Sequence, residues 1–196
     1  MKARAEVERG TRQRIVTAAV ALHERQGIAA TSWDDLASAA DVNRATVYRH
    51  FRGLRELIPA CARQAFEAID LPSRSEIEAQ LVDLSDPRER LARIVGESCA
   101  CYERGAGWLR AARREADLIP ALADVNRRIQ DGVATLVDAA LAGHRLDAEA
   151  RTVLIVLADY PFWQQLIDAG LARADAPRLI SRLMEHLVWP KGEPDV

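Results

Sequence analysis

Apolar residues recur along this chain every three to four positions, the spacing that gathers them on one face of a helix. The first such run is Thr11 to Gln26, where Ile15, Ala18, Ala19 and Leu22 make one stripe. Gly27 follows, at the place where a helix ends in a residue able to take positive φ. Thr31-Ser32-Trp33-Asp34-Asp35 then offers a hydroxyl cap followed by acids near the positive end of a helix dipole. Leu36, Ala37 and Ala40 give this second helix a narrow inner face, and Asp41 makes the turn out of it. The third run, Asp41 to Phe51, reads D-V-N-R-A-T-V-Y-R-H-F. Val42, Val47 and Phe51 can face a core, whereas Arg44, Ala45, Thr46, Tyr48, Arg49 and His50 fill most of the opposite face with donors and small groups. Asn43 stands where its side-chain oxygen can accept from an orphan backbone N–H. Three short helices, the third polar and basic, predict a helix-turn-helix arrangement.

From Arg55 onward the pattern stays helical, and nothing reads as a strand. Ser73-Arg74-Ser75-Glu76 has the form of a capping box, Asp86-Pro87-Arg88-Glu89 and Asp147 mark further starts, and Pro120 marks another. Gly105 and Gly107 read as a loop. Pro59 lies early in a fourth helix and Pro161 within a later one, each removing a backbone bond and bending its helix. Val153 to Leu157 leaves no polar side, which predicts cover on two faces. The last helix repeats Leu179/Ile180, Leu183/Met184 and Leu187/Val188, a stripe wider than packing within one chain usually needs. These two helices and their copies predict a four-helix homodimer interface.

The segment from Thr11 to about Phe66 resembles the N-terminal domain of TetR-family transcriptional regulators. The resemblance rests on I-V-T-A-A-V-A-L, then G-I-A-A-T-S-W-D-D-L-A, then A-D-V-N-R-A-T-V-Y-R-H-F and R-G-L-R-E-L. It covers the first third of the chain; the rest matches in length and helical character. It implies an all-α protein, with a three-helix DNA-binding domain over residues 1–55, tail included, and a helical ligand-binding and dimerisation domain over 56–196. It also implies a homodimer presenting two heads to successive major-groove faces. Three positions depart from the family's pattern. Asp41 stands where glycine is common at the turn, and Leu54 where a phosphate-binding lysine often opens the fourth helix. Asp34 occupies a position that reads a base in some members, where it would repel phosphate or accept from cytosine.

Composition changes this picture little, but the placement of charge does. The net charge is −2, yet residues 1–55 hold 10 Lys+Arg against 6 Asp+Glu and the other 141 hold 17 against 23. A basic head on an acidic body fits a DNA-binding module joined to one with another task. The segment Met1 to Arg14 carries Lys2, Arg4, Arg9, Arg12 and Arg14 and reads as a disordered, solvated tail, or as an arm reaching the DNA backbone or minor groove. Three cysteines, Cys61, Cys99 and Cys101, read as small buried apolar groups, with a redox-sensing or ligand-reactive role as the alternative. With no signal-peptide core and no apolar run long enough for a bilayer, the chain is expected in the cytoplasm, away from membrane. No H-E-x-x-H, phosphate loop or nucleophile elbow occurs, so neither an enzyme nor a metal or cofactor is implied.

Arg44 and Arg49 are the candidate base readers, because a guanidinium can bond guanine O6 and N7 together. Ala45 can touch a thymine methyl; Thr31, Thr46, Tyr48 and His50 can hold phosphates, with Arg52 or Arg55 assisting. Tyr48 can equally be a structural aromatic, and His50 a capping or core histidine. Tyr102, Trp108, Tyr160, Phe162 and Trp163 are candidate walls of a small-molecule pocket, or simply core. The expected function is a ligand-responsive regulator, a repressor, that binds a palindromic operator as a homodimer and is released by a small molecule. The alternative is a structural, nucleoid-type DNA binder without a regulatory ligand.

Overall fold

The computed structural model describes residues 2–69 and 74–190, which form ten α-helices and one 3-10 turn, with no strand among the described residues. The helices are α1 (Lys2–Gln26), α2 (Trp33–Ala39), α3 (Arg44–His50), α4 (Leu54–Ala68), α5 (Arg74–Leu81), α6 (Pro87–Arg114), α7 (Ala121–Ala140), α8 (Ala148–Ala158), α9 (Tyr160–Asp168) and α10 (Ala176–Val188). The 3-10 turn, Arg173–Asp175, precedes α10. Two compact units result: Met1–Asp70 with Arg104–Arg127, and Leu71–Glu103 with Arg128–Val196. Residues 1–55 lie wholly in the first. The cap read at Ser73 falls outside the described residues.

In the first unit, Ile15, Val16, Ala19 and Leu22 of α1 meet Leu36 and Ala37 of α2, Val47 of α3 and Leu57, Ala60 and Cys61 of α4. Ala40 and Phe51, at the two helix ends, complete this core. The apolar face read from periodicity is the buried one. The expected disorder of this segment is corrected: α1 begins at Lys2, and residues 5–10 are exposed helix. Alanine, glutamate and arginine are good helix formers, and Glu8 and Arg12 stand at the favourable i,i+4 spacing. Those local preferences extend the helix ahead of its packed part.

The turn at Asp41 is a full Schellman closure. Val42 N–H donates to the Ala37 carbonyl at 3.0 Å and Asp41 N–H to that of Ser38 at 3.2 Å. Asp41 pays with φ of 52°, the left-handed region, where an L residue other than Asn or Asp is strained. Asp41→Val is therefore expected to destabilise the fold by about 1–2 kcal/mol, whereas Asp41→Gly should leave it unchanged or stabilise it by up to about 1 kcal/mol. Urea unfolding of the two variants checks this.

The loop expected at Gly105 and Gly107 is also corrected, because α6 runs through both. A Cβ at Gly105 would stand 3.0 Å from Ile69 Cγ2, and one at Gly107 would stand 3.2 Å from Glu24 Cβ. The glycines permit close approach of α6 to α4 and α1 rather than a turn. Arg104 secures the same seam by donating from Nε and Nη2 to the Ile69 carbonyl at 3.0 and 2.7 Å, closing the end of α4.

The second unit packs Leu91, Ile94 and Val95 of α6, Val133 and Val137 of α7, Leu154 of α8, Trp163 of α9, and Ile180 and Met184 of α10 into its buried set. Pro161 does not bend a helix; it stands in the first turn of α9. Proline cannot donate to residue 157, so the chain breaks at Asp159, whose carboxylate accepts from Tyr160 N–H at 2.8 Å and starts the next helix. Cover on two faces does not arise within one chain either. Only Leu154 and Ala158 of α8 are fully buried, while Val153 and Val156 are 39% and 57% exposed. On α10, Leu183 and Leu187 are likewise exposed, at 41% and 38%. The three cysteines are buried and form no disulfide, and burial pushes the Cys61 and Cys99 thiols up to about 12, where thiolate chemistry is suppressed.

Candidate DNA-recognition surface

α3 is seven residues long, too short to persist alone, and owes its place to its ends and its inner face. Asn43 Oδ1 accepts from Thr46 N–H at 2.7 Å, the cap read from the sequence. Val47 and Phe51 are fully buried, and the Arg12 guanidinium lies 4.4 Å from the centre of the Phe51 ring. Ahead of it, Ser32 and Asp35 cap α2 reciprocally: Ser32 Oγ accepts from Asp35 N–H at 3.1 Å, and Asp35 Oδ2 from Ser32 N–H at 2.9 Å. With both helices tied at their starts, the outer face of α3 is presented on a rigid frame.

That face holds Arg44, Ala45, Tyr48 and Arg49, all exposed, with Thr46 and His50 half-buried. Asn43, Arg52 and Arg55 flank it, also exposed. Arg49 pairs with no carboxylate among the described residues. Arg44 is engaged: its Nη1 donates to Asp34 Oδ2 at 2.9 Å and its Nη2 to the Tyr48 hydroxyl at 3.3 Å. The Tyr48 hydroxyl, then the Asp34 charge, raise the Arg44 pKa above its ordinary value. Tyr48 stacks on Trp33 of α2, ring centres 5.1 Å apart and planes 30° from parallel. It is thus structural on one side and exposed on the other. Thr31 is turned inward, its hydroxyl donating to the Gly27 carbonyl at 2.7 Å, so a phosphate would have to displace that bond. Burial, then the Arg49 charge, lower the His50 pKa, and Nε2 finds no partner among the described residues. His50 is therefore neutral near pH 7.

Sequence reasoning missed what holds the loop between α1 and α2. Glu115, 5% exposed, accepts from Ala29 N–H at 2.6 Å and is bonded by Arg114 Nη2 at 3.0 Å. Gly27 has φ of 94°, and any Cβ there would collide with the Glu115 carboxylate. His23, 1% exposed, lies in the same seam, with both ring nitrogens lacking partners among the described residues. Glu115 is 86 residues from Ala29, so no local pattern could announce the contact.

The candidate pocket aromatics do not form one wall. Tyr102, Tyr160 and Trp163 come together in the second unit, with ring centres 5.6 to 6.0 Å apart. All three are buried, Tyr102 donating to the Ala158 carbonyl and Tyr160 to Gln164 Oε1, each at 2.7 Å. Phe162 is half-buried. Trp108 belongs to the first unit, edge-on to Phe66 at 5.8 Å. A separate open cavity of about 420 Å³ lies in the second unit, lined by Glu78, Leu81, Arg90, Thr135, Asp138 and Ala139 among others. Asp138 is held there by Arg151 through two bonds of 2.7 and 2.8 Å. Among the described residues no helix is long and apolar enough to cross a membrane.

A capped short helix held across a Schellman turn, its inner face buried and its outer face rich in donors, defines a helix-turn-helix protein. Residues 15–61 match the family model for bacterial regulatory proteins of the tetR family. Over 88 residues the chain is 34% identical to the probable HTH-type transcriptional regulator ArpR of Pseudomonas putida, a match spanning 44% of this chain and 42% of that protein. The multidrug binding protein EbrR complexed with ethidium is 30% identical, with 88% of this chain and 97% of that one covered and a TM-score of 0.56. A member of the TetR family from Streptomyces coelicolor A3 is 29% identical, with coverage of 88% and 97% and a TM-score of 0.61. The chain belongs to the TetR family of bacterial regulators.

Proposed function

We propose that this protein is a ligand-responsive repressor that binds a palindromic operator as a homodimer and lets go when a small molecule binds. The observation that carries the reading is the outer face of α3, where Arg44 and Arg49 stand exposed on a helix whose inner face is fully packed. Arginine side chains on such a helix can reach guanine in the major groove, while Thr46, Arg52 and Arg55 lie where phosphates pass. Two heads must meet half-sites about 34–36 Å apart, so a ligand that favours another spacing weakens binding by its differential affinity for the two states. Glu115 supports a route for that effect, since it ties the chain just after α6 to the loop that enters α2.

The effector reading draws on the relatives and on the second unit. EbrR has been crystallised with ethidium and with imidazole, both nitrogen heterocycles. The cavity beside Glu78 and Asp138 has a volume suited to a small organic molecule. The buried cluster of Tyr102, Tyr160 and Trp163 supplies aromatic surface if that core opens.

Selection of bound duplexes from a random pool tests the proposal. One palindromic motif is expected. Arg49→Ala should cost about 1–3 kcal/mol on the preferred site and relax discrimination at one position per half-site. Arg52→Ala or Arg55→Ala should instead weaken all sequences alike and reduce the salt slope by about one. Recovery of unrelated sequences with no enriched motif would refute the reading.

A further inference from the structure

We propose that Asp34 is a positioning residue that turns Arg44 from a general phosphate binder into a reader of one guanine. The inference rests on the reading above, that α3 enters the major groove. Its own basis is the bridge between α2 and α3. Asp34 Oδ2 accepts a hydrogen bond from Arg44 Nη1 at 2.9 Å, and the Tyr48 hydroxyl accepts one from Nη2 at 3.3 Å. The guanidinium lies 5.5 Å from the centre of the Tyr48 ring, which is itself stacked on Trp33. The four side chains form a ladder whose two ends, Trp33 and Asp34, are both on α2.

The donor inventory decides what Arg44 can still do. A guanidinium has five N–H groups. Two are used, which leaves three, with at least one on each terminal nitrogen. One donor on each terminal nitrogen is what a bidentate contact to O6 and N7 of guanine requires. A free arginine in this place would swing between base edge and phosphate, and phosphate attracts it with no sequence information. Asp34 opposes that swing twice over. It holds one edge of the guanidinium, and its own charge repels the phosphate backbone. Its presence should therefore lower affinity for DNA in general and raise the preference for one base. Exposed pairs of this kind add little to folding stability, so fold maintenance does not account for the arrangement.

The experiment compares the full-length protein with Asp34→Ala, Arg44→Ala and the double variant in duplex selection at fixed salt. Asp34→Ala is expected to bind the unselected pool several-fold more tightly, and its base preference at one position should fall about tenfold. Arg44→Ala should lose preference at that same position, and the double variant should match Arg44→Ala there. Should either single variant fail to fold, Asp34→Asn, which keeps the shape without the charge, or Arg44→Lys, which keeps the charge without the planar donor fork, replaces it. An Asp34 variant with an unchanged motif, or one altered at a different position from the Arg44 variant, overturns the positioning role; the second result would mean that Asp34 reads a base itself. If the parent protein enriches no motif, the groove reading fails first and this inference goes with it.

Discussion

Val156→Asp combined with Leu187→Asp is expected to break the proposed homodimer and to lower affinity for the proposed two-half-site operator by about 10²–10⁴-fold. Val153 and Val156 of α8, and Leu183 and Leu187 of α10, are the exposed large apolar side chains of two helices that pack on each other. Exposed apolar side chains on two packed helices are costly to leave in water, and a two-fold axis lets such a surface cover its own copy. Because these side chains are exposed in the single chain, an aspartate there costs folding little. In an assembled interface it places uncompensated carboxylates in an apolar seam. Sedimentation velocity reads whether the parent is the proposed dimer and whether the double variant loses it. Binding to a lone half-site should be unchanged, since each head is intact, whereas binding to the full palindrome loses the benefit of linkage. A double variant that sediments as the parent does removes α8 and α10 from the interface.

Acidification is expected to cost the first unit about 3 kcal/mol between pH 6.5 and pH 4, and His23→Leu is expected to abolish most of that slope. Burial lowers the His23 pKa from 6.5 to about 4, only partly opposed by the Glu115 charge. The unfolded chain therefore takes up the proton first. Its stabilising neutral form is fully effective above pH 6.5, and the advantage drains away as the pH falls toward 4. Glu115 acts lower on the scale. Burial disfavours its charge, but the Ala29 amide, Arg114 and the Ile28 amide outweigh burial and hold its pKa below the ordinary value. Its contribution is present above the usual carboxylate range and is lost as the pH falls through its depressed pKa. Thermal melts across this range separate the two groups. The leucine variant should match or exceed the parent at pH 7, because neither imidazole nitrogen has a partner to lose among the described residues. A variant whose melting temperature falls with pH as steeply as the parent's would place the acid sensitivity elsewhere.

Much of the head was legible because its signals are local. The Asn43 cap reaches three residues forward to Thr46, the Ser32–Asp35 box spans the same distance, and Asp147 accepts from Ala150 N–H at 2.7 Å. The inner stripes of α1, α2 and α3 follow the helical repeat, and every one of Ile15, Leu36, Val47 and Phe51 is buried. Where local signs conflict, reading from them fails. Gly105 and Gly107 look like a loop, yet the space they free is filled by Ile69 and Glu24 from other helices. Pro161 looks like a kink, but Asp159 offered a cap two residues earlier and the chain took the cheaper break. The five aromatic candidates have no local property that could sort Trp108 from Tyr102, Tyr160 and Trp163 into different units.

Periodicity and caps thus determined, without any coordinates, that this chain is helical, that it carries a turn and short helix of the DNA-reading type, and which face of that helix is turned inward. They act over three or four residues, where backbone geometry alone brings groups together. Only the tertiary structure decided that Asp34 grips Arg44 across a turn, that Glu115 closes the loop after α1, and that Val156 and Leu187 are left uncovered by their own chain. Those outcomes depend on which distant helix arrives beside a residue, and residue spacing along the chain carries no measure of that.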